Sequence, residues 1–372
     1  MIDRIVKKAV HGGNLRQAAA QYGIDSDSFL DFSANISYVG PPPGIEEAIQ
    51  RGISVMKHYP DPDSKHLTSA IAQAVHLPDD HILVGNGSIE LLYALMRSLG
   101  KCRALVTEPT FSEYARAVQV VGGDVDFFPL SAREDWRVDL SALAKRLSHI
   151  DLVFLCNPNN PTGEFIARAE LVNFIEQAKK SDVLVVVDEA FVDFVEDFDQ
   201  EEFGVLSLVT TFNNLVVLRS FTKFFAIPGL RLGFCAAAPP LIGRIQGQQE
   251  PWTVNCIAQS VGEHIVSPKL ASFREHVRRD TQRTRIAFKQ NLEARCQVAC
   301  WGQVNYLLLD LGEAISSTAL TEQLGKRGIL VRDCRPYAPR LGHYLRVAVR
   351  APEENGRLVT ELAPLLQAER RG

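Results

Sequence analysis

Lys223 is the residue whose setting first suggests chemistry. It lies in Ser220-Phe-Thr-Lys-Phe-Phe225, close in sequence to Ile227, with Arg231 eight residues further on. Desolvation among Phe221, Phe224, Phe225 and Ile227 disfavours an ammonium and lowers its pKa. A lysine made partly neutral in this way can attack a carbonyl and form a Schiff base. Ser220, Thr222 and Arg231 are the kinds of donor that hold a phosphate beside it. A lysine at a strand end can also lay its stem on aromatic rings and keep its head in water. This stretch alone does not choose between the two.

Other loops carry further candidates. Gly85-Asn-Gly-Ser88 turns an apolar run into a helix, and the free amides of a helix N-terminus suit phosphate. It has neither the lysine of a P-loop nor the Gly-x-Gly-x-x-Gly spacing, so nucleotide binding is not indicated. Asn157-Pro-Asn-Asn-Pro-Thr-Gly163 and Asp188-Glu-Ala-Phe191 follow two further apolar runs. His11-Gly-Gly-Asn14 sets a titratable donor beside glycines that let the backbone come close to a ligand, although a plain turn explains it equally well. His58-Tyr-Pro-Asp-Pro-Asp63 exposes Tyr59 between turn formers. Arg332 and Arg346 lie on or just beyond strands near the C-terminus.

The elements that position these loops alternate. Leu215-Val-Val-Leu218 reads as a buried strand that delivers Ser220, Thr222 and Lys223. Strands are predicted also at 82–84, 103–107, 124–128, 152–156 and 183–187. Helices are predicted at 45–56, 65–76, 88–99, 111–121, 139–148 and 168–180. Such alternation predicts a mainly parallel sheet covered by helices on both faces. Ligands bind such sheets at the carboxyl ends of the strands, where the lysine, Asp188 and Asn157–Gly163 loops fall. A long charged helix over 271–293 leads into a smaller unit with strands at 304–311, 329–331 and 344–349 and helices at 318–327 and 353–368. The predicted organisation is an N-terminal arm over 1–44, a large α/β domain over 45–255, and a bridging helix with a small α+β domain over 256–372.

Composition narrows the class. Of 372 residues 46% are hydrophobic and 23% charged, and the net charge is −4, which gives no basic surface for nucleic acid. No apolar run reaches the ~18 residues of a membrane span, and Met1-Ile-Asp-Arg-Ile-Val-Lys-Lys lacks the apolar core of a signal peptide. The seven cysteines form no Cys-x-x-Cys pair and read as thiols of a reducing compartment, with no metal site. A cytoplasmic protein is expected.

Taken together, these loops ask for pyridoxal 5′-phosphate, which needs a lysine, a carboxylate opposite its pyridine nitrogen, phosphate donors and an aromatic face. Lys223 fits the first and Asp188 the second, although a turn cap would also explain Asp188 alone. Asn160-Pro-Thr-Gly163, Asp188-Glu-Ala, Ser220-Phe-Thr-Lys223 and Gly229-Leu-Arg-Leu-Gly233 resemble the fold-type I aminotransferase superfamily, from Asp31 to Arg350. Two of its branches compete. His11-Gly-Gly-Asn14, Asp31-Phe-Ser-Ala-Asn35-Ile and Gln249-Glu-Pro-Trp-Thr-Val-Asn255 look like the threonine-phosphate decarboxylases of cobalamin synthesis. The other branch is the histidinol-phosphate aminotransferases.

The resemblance implies roles at matching positions. Asn160 would hydrogen-bond the cofactor's 3′ oxygen and Phe111 would stack on its ring. Ser88, the Ile89 amide, Ser220, Thr222 and Arg231 would surround its phosphate, and Tyr59 would reach the phosphate of a neighbouring subunit in a homodimer. Arg346 would take the carboxylate of a phosphorylated amino-acid substrate. His11, Gly12, Asn35, Asn160 and Arg332 would make further substrate contacts, with the Gly12 and Gly13 amides beside the substrate phosphate. Phe191 departs from the tyrosine that many aminotransferases carry there, which leaves Asn160 as the assigned donor to the 3′ oxygen.

Overall fold

The structure is a computed structural model, and it describes residues 12–195 and 203–371. The strands are β1 (Leu30–Asp31), β2 (Ile82–Gly85), β3 (Arg103–Glu108), β4 (Asp124–Pro129), β5 (Leu152–Cys156), β6 (Leu184–Asp188), β7 (Leu215–Ser220), β8 (Gly233–Ala237), β9 (Ala299–Trp301), β10 (Tyr306–Asp310), β11 (Ile329–Leu330), β12 (Arg332–Asp333) and β13 (Tyr344–Ala348). Seven of them form the central sheet in the order β2-β8-β7-β6-β5-β3-β4. Its five strands from β7 to β4 run parallel, whereas β8 is antiparallel to both β2 and β7.

The β-branched runs of the sequence are explained by burial on both faces. Along β5, Val153 and Leu155 enter one core while Leu152, Phe154 and Cys156 enter the other. Val185 and Val187 of β6 are likewise separated from Val186. A strand covered on both sides needs no polar alternation. The helices are α1 (Leu15–Tyr22), α2 (Ile45–Val55), α3 (Lys65–Val75), α4 (Ser88–Leu99), α5 (Glu113–Val120), α6 (Leu140–Ala144), α7 (Arg168–Lys180), α8 (Pro239–Gln246), α9 (Cys256–Ile265), α10 (Ala271–Cys296), α11 (Ser317–Gly325) and α12 (Pro352–Glu369). Leu91, Leu95, Tyr114, Ile242 and Ile245, from α4, α5 and α8, cover one face, and Leu67, Ile71, Phe174, Ala258 and Val261, from α3, α7 and α9, cover the other.

A second, antiparallel sheet has the order β12-β13-β10-β9. Phe288 and Leu292 of α10 and Leu358 and Leu362 of α12 pack with Leu307, Leu309, Leu345 and Val347 from its strands. Phe32 belongs to this core, and β1 pairs in parallel with β11. Among the described residues no helix is long and apolar enough to cross a membrane.

Candidate active site

A cavity of about 410 Å³ opens at the carboxyl ends of β5, β6 and β7, lined among others by Ser88, Phe111, Asn160, Asp188, Lys223 and Arg231. The lysine loop leaves β7 between buried phenylalanines. Lys223 Nζ donates to Ser220 Oγ at 2.9 Å, and that hydroxyl lies 2.8 Å from Thr222 Oγ1. Lys223 keeps some exposure, as a cavity-lining residue must, yet protein surrounds its amine densely. Burial therefore pushes the ammonium below the ordinary lysine value; Asp188 opposes the shift and Arg231 adds to it.

Asp188 ends β6 and is 7% exposed. Its Oδ2 accepts the Tyr114 hydroxyl at 2.7 Å, and its Oδ1 accepts the Ala190 amide at 3.0 Å. Burial pushes this carboxyl up, while Lys223 and the Tyr114 and Ala190 donors pull it back.

Opposite the lysine, α4 begins at Ser88, so the Ser88 and Ile89 amides are among the first four donors, which have no intrahelical acceptor. Two glycines let the chain close here. A Cβ on Gly87 (φ 78°) would stand 2.7 Å from Arg231 Nη2, and one on Gly233 would stand 2.6 Å from the Ser88 nitrogen. Amides, hydroxyls and a guanidinium thus converge on one end of the cavity.

Beyond the Asn160 end of the cavity, Arg346 on β13, itself not among the lining residues, donates to Asn160 Oδ1 and to the Ser33 carbonyl, both at 2.6 Å. Because Arg346 occupies Asn160 Oδ1, the Asn160 amide nitrogen remains as the donor of that side chain. Arg332 stands directly opposite Arg346 in the antiparallel register of β12 and β13. The Tyr337 ring lies 5.1 Å below the Arg332 guanidinium, and its hydroxyl is 3.2 Å from Arg346 Nη1. Both arginines are buried, as is Asn35, whose side-chain oxygen and nitrogen have no partner among the described residues. Backbone bonds join the two ends: the Ser37 amide donates to the Lys223 carbonyl at 3.0 Å, and the Phe32 amide to that of Leu330 at 2.7 Å.

Several expectations fare differently. His11 lies outside the described residues. The Gly13 amide was expected beside a ligand phosphate, but it donates to Ser33 Oγ at 2.9 Å, a hydroxyl whose own proton goes to Asp31. Gly12 packs so close to Ser33 that any Cβ would collide with its carbonyl. Tyr59 is 80% exposed, stacks on Trp252 at 4.6 Å and does not line the cavity of its own chain. Phe191 packs edge-on against Tyr306, 5.0 Å away, and its ring centroid is 5.8 Å from Lys223 Nζ.

Residues that the sequence reading did not select also shape the site. Tyr114 and Tyr337 are two. Glu113 is a third: it is buried in the cavity wall and accepts from the Tyr93 hydroxyl at 2.6 Å and from Arg116 at 3.0 Å. The one available signal was the spacing of Phe111 and Tyr114 at i and i+3, which sets both on one side of a helical turn.

Residues 27–362 match the family Aminotransferase class I and II. The chain belongs to that family. It is 34% identical over 363 residues to a threonine-phosphate decarboxylase of Salmonella typhimurium, covering 96% of this chain and 97% of that one. It is 32% identical over 371 residues to a histidinol-phosphate aminotransferase of Symbiobacterium thermophilum, covering 98% and 97%. Among solved structures, histidinol-phosphate aminotransferase from Sinorhizobium meliloti in complex with pyridoxal 5′-phosphate superposes with a TM-score of 0.87 at 20% identity, covering 99% of both chains. The fold is therefore fold-type I.

Pyridoxal 5′-phosphate is the cofactor, and the cavity fits it. Lys223 and the buried Asp188 carboxylate face the same space, and Ser88, Ser220 and Arg231 supply donors suited to a phosphate dianion. The unsatisfied buried polar atoms of Asn35 and Arg346 Nε give a bound amino acid something to satisfy.

Proposed function

We propose that this protein decarboxylates L-threonine O-3-phosphate to (R)-1-amino-2-propanol O-2-phosphate, in the cytoplasm and for cobalamin synthesis. The observation that carries this reading is the pair of buried arginines, Arg332 and Arg346, in direct register on adjacent strands beside Asn160. Two fixed guanidinium groups suit a ligand bearing two anionic groups, because each planar fork can donate two parallel hydrogen bonds. Threonine phosphate carries a carboxylate and a phosphate at once.

In this reading Lys223 would hold the cofactor through its amine, and Asp188 would face its ring nitrogen. Phe111 covers its ring and the Asn160 amide nitrogen meets its 3′ oxygen. Ser88, Ile89, Ser220, Thr222 and Arg231, with Tyr59 of the partner subunit in a homodimer, surround its phosphate. Bound pyridoxal phosphate supplies an electron sink for the pair released at Cα. The side chains decide which bond breaks: only a bond held perpendicular to the ring overlaps its π system. Arg346 takes the substrate carboxylate, and Arg332 with His11, Gly12 and Asn35 takes the distal phosphate. Anchoring both ends would orient the substrate so that the bond to its carboxylate is the one that breaks, with carbon dioxide released and a proton returned to Cα.

Incubation with threonine phosphate should release carbon dioxide and the amino-alcohol phosphate; no release would overturn the proposal. The 32% identity to a histidinol-phosphate aminotransferase favours a second reading, amino transfer between histidinol phosphate and 2-oxoglutarate. Amino transfer without carbon dioxide would identify it. Arg332→Ala is expected to weaken threonine phosphate binding by ~1.5–3 kcal/mol, the range for hydrogen bonds to charged groups. It should change the binding of plain threonine little. Titration of both ligands checks this, and equal losses would remove Arg332 from phosphate recognition.

A further inference from the structure

We propose that Tyr114 is a positioning residue that fixes Asp188 as an oriented carboxylate toward the ring nitrogen of the cofactor. The inference rests on the assignment of Asp188 to that nitrogen. Tyr114 lies in the first turn of α5 and has no exposed surface, and its ring stacks flat on Phe154 of β5 at 5.0 Å with an interplanar angle of 5°. Its edge meets Phe111 at 5.5 Å. Held on both sides, the hydroxyl has one hydrogen-bonded carboxylate oxygen within reach, Asp188 Oδ2 at 2.7 Å.

The chemistry of the pair explains why a tyrosine suits this place. Burial raises the Tyr114 phenol well above its ordinary value, so it donates throughout the working pH range. A hydrogen bond donated to a carboxylate favours the charged form. The other groups around Asp188 are the Ala190 amide, the Cys156 thiol, the Tyr306 phenol and Lys223. Burial pushes Cys156 up to about 12, so it stays a neutral thiol. Lys223 is the cation that steadies Asp188, yet it is also the residue whose amine the chemistry consumes and releases. Tyr114 is a neutral donor whose contribution does not change as Lys223 gains or loses charge. The turn that leads into α5 therefore supplies the ring face through Phe111, and the helix's first turn supplies the carboxylate's anchor through Tyr114.

The test uses the holoenzyme reconstituted with pyridoxal phosphate labelled with nitrogen-15 in its ring. In Tyr114→Phe the stacking ring is kept and the donor removed. The ring-nitrogen resonance should move toward its unprotonated position, and the cofactor's dissociation constant should rise roughly tenfold, the size for one hydrogen bond to a charged group. Asp188→Asn is the control. A resonance that moves in Asp188→Asn and stays put in Tyr114→Phe overturns the role of Tyr114 alone. A resonance that moves in neither variant overturns the assignment of Asp188 itself, and with it this inference. Unchanged circular dichroism in Tyr114→Phe, with the shifted resonance, would separate positioning from a loss of fold.

Discussion

Lys223→Ala is expected to abolish turnover and covalent retention of pyridoxal phosphate while leaving the fold intact. The side chain makes one hydrogen bond, to Ser220 Oγ, and its charge is disfavoured by burial. Its loss therefore removes little packing, and unfolding midpoints should stay close to those of the unaltered protein. The chemical loss is far larger. Lys223 is the only lysine among the residues lining the described cavity, so no second amine stands ready to replace it. A lysine that also moves a proton contributes about 10²–10⁴-fold on that ground alone, and losing the covalent link adds to it. Borohydride reduction followed by mass spectrometry checks the point. The unaltered chain should retain cofactor on the peptide containing Lys223, and the variant should retain none. Fixation elsewhere with preserved turnover would move the nucleophile to another residue.

The second large effect belongs to Asp188→Asn. An amide has nearly the shape of the carboxylate and keeps one acceptor oxygen for the Ala190 amide, while its NH2 can donate to the Tyr114 hydroxyl oxygen, so the β6 terminus should hold. It cannot balance a positive ring nitrogen. Removing one preorganised electrostatic group that faces developing charge typically costs about 10²–10³-fold. The loss should fall on kcat, with substrate affinity changed much less, because the interaction strengthens as charge develops. Steady-state kinetics in which KM rises and kcat is unaltered would count against the assignment. Since burial raises the Asp188 carboxyl, protonation at low pH should mimic the substitution: kcat falls as pH drops through the carboxyl's own titration and recovers above it.

The residues that meet in the cavity are legible in the sequence because their signals are local. Lys223 and its phenylalanines, the Asn160 turn and Asp188 each announce themselves within a few residues, and β5, β6 and β7 are apolar runs that double-sided burial demands. β8 was not read as a strand: Gly-Phe-Cys-Ala-Ala has no alternation, and its antiparallel insertion between β2 and β7 is a fact of topology. Helices α1, α8 and α9 were also passed over. The helix predicted from Phe111 starts at Glu113, which leaves Phe111 free to line the cavity. What escaped the sequence are contacts across long separations. Tyr114 meets Asp188 at 74 residues' distance and Arg346 meets Asn160 at 186. Nothing in local spacing encodes such pairs; the sheet brings them together.

The short segment around β1 carries a consequence for recombination between relatives. Phe32 stitches it to Leu330 of β11 and to Ala348 of the second sheet, it supplies the Ser33 carbonyl that seats Arg346, and it reaches the lysine loop through Ser37. The buried arginines of β12 and β13 and the lysine are thus not separable cassettes, although about 110 residues lie between them. A chimera that takes its C-terminal unit from one relative and its first forty residues from another would set a foreign edge against β11 and a foreign carbonyl under Arg346. Moving residues 30–37 together with the C-terminal unit preserves that joint, and leaves the Ser37 amide, which needs no particular side chain, to make the one bond back to the lysine loop.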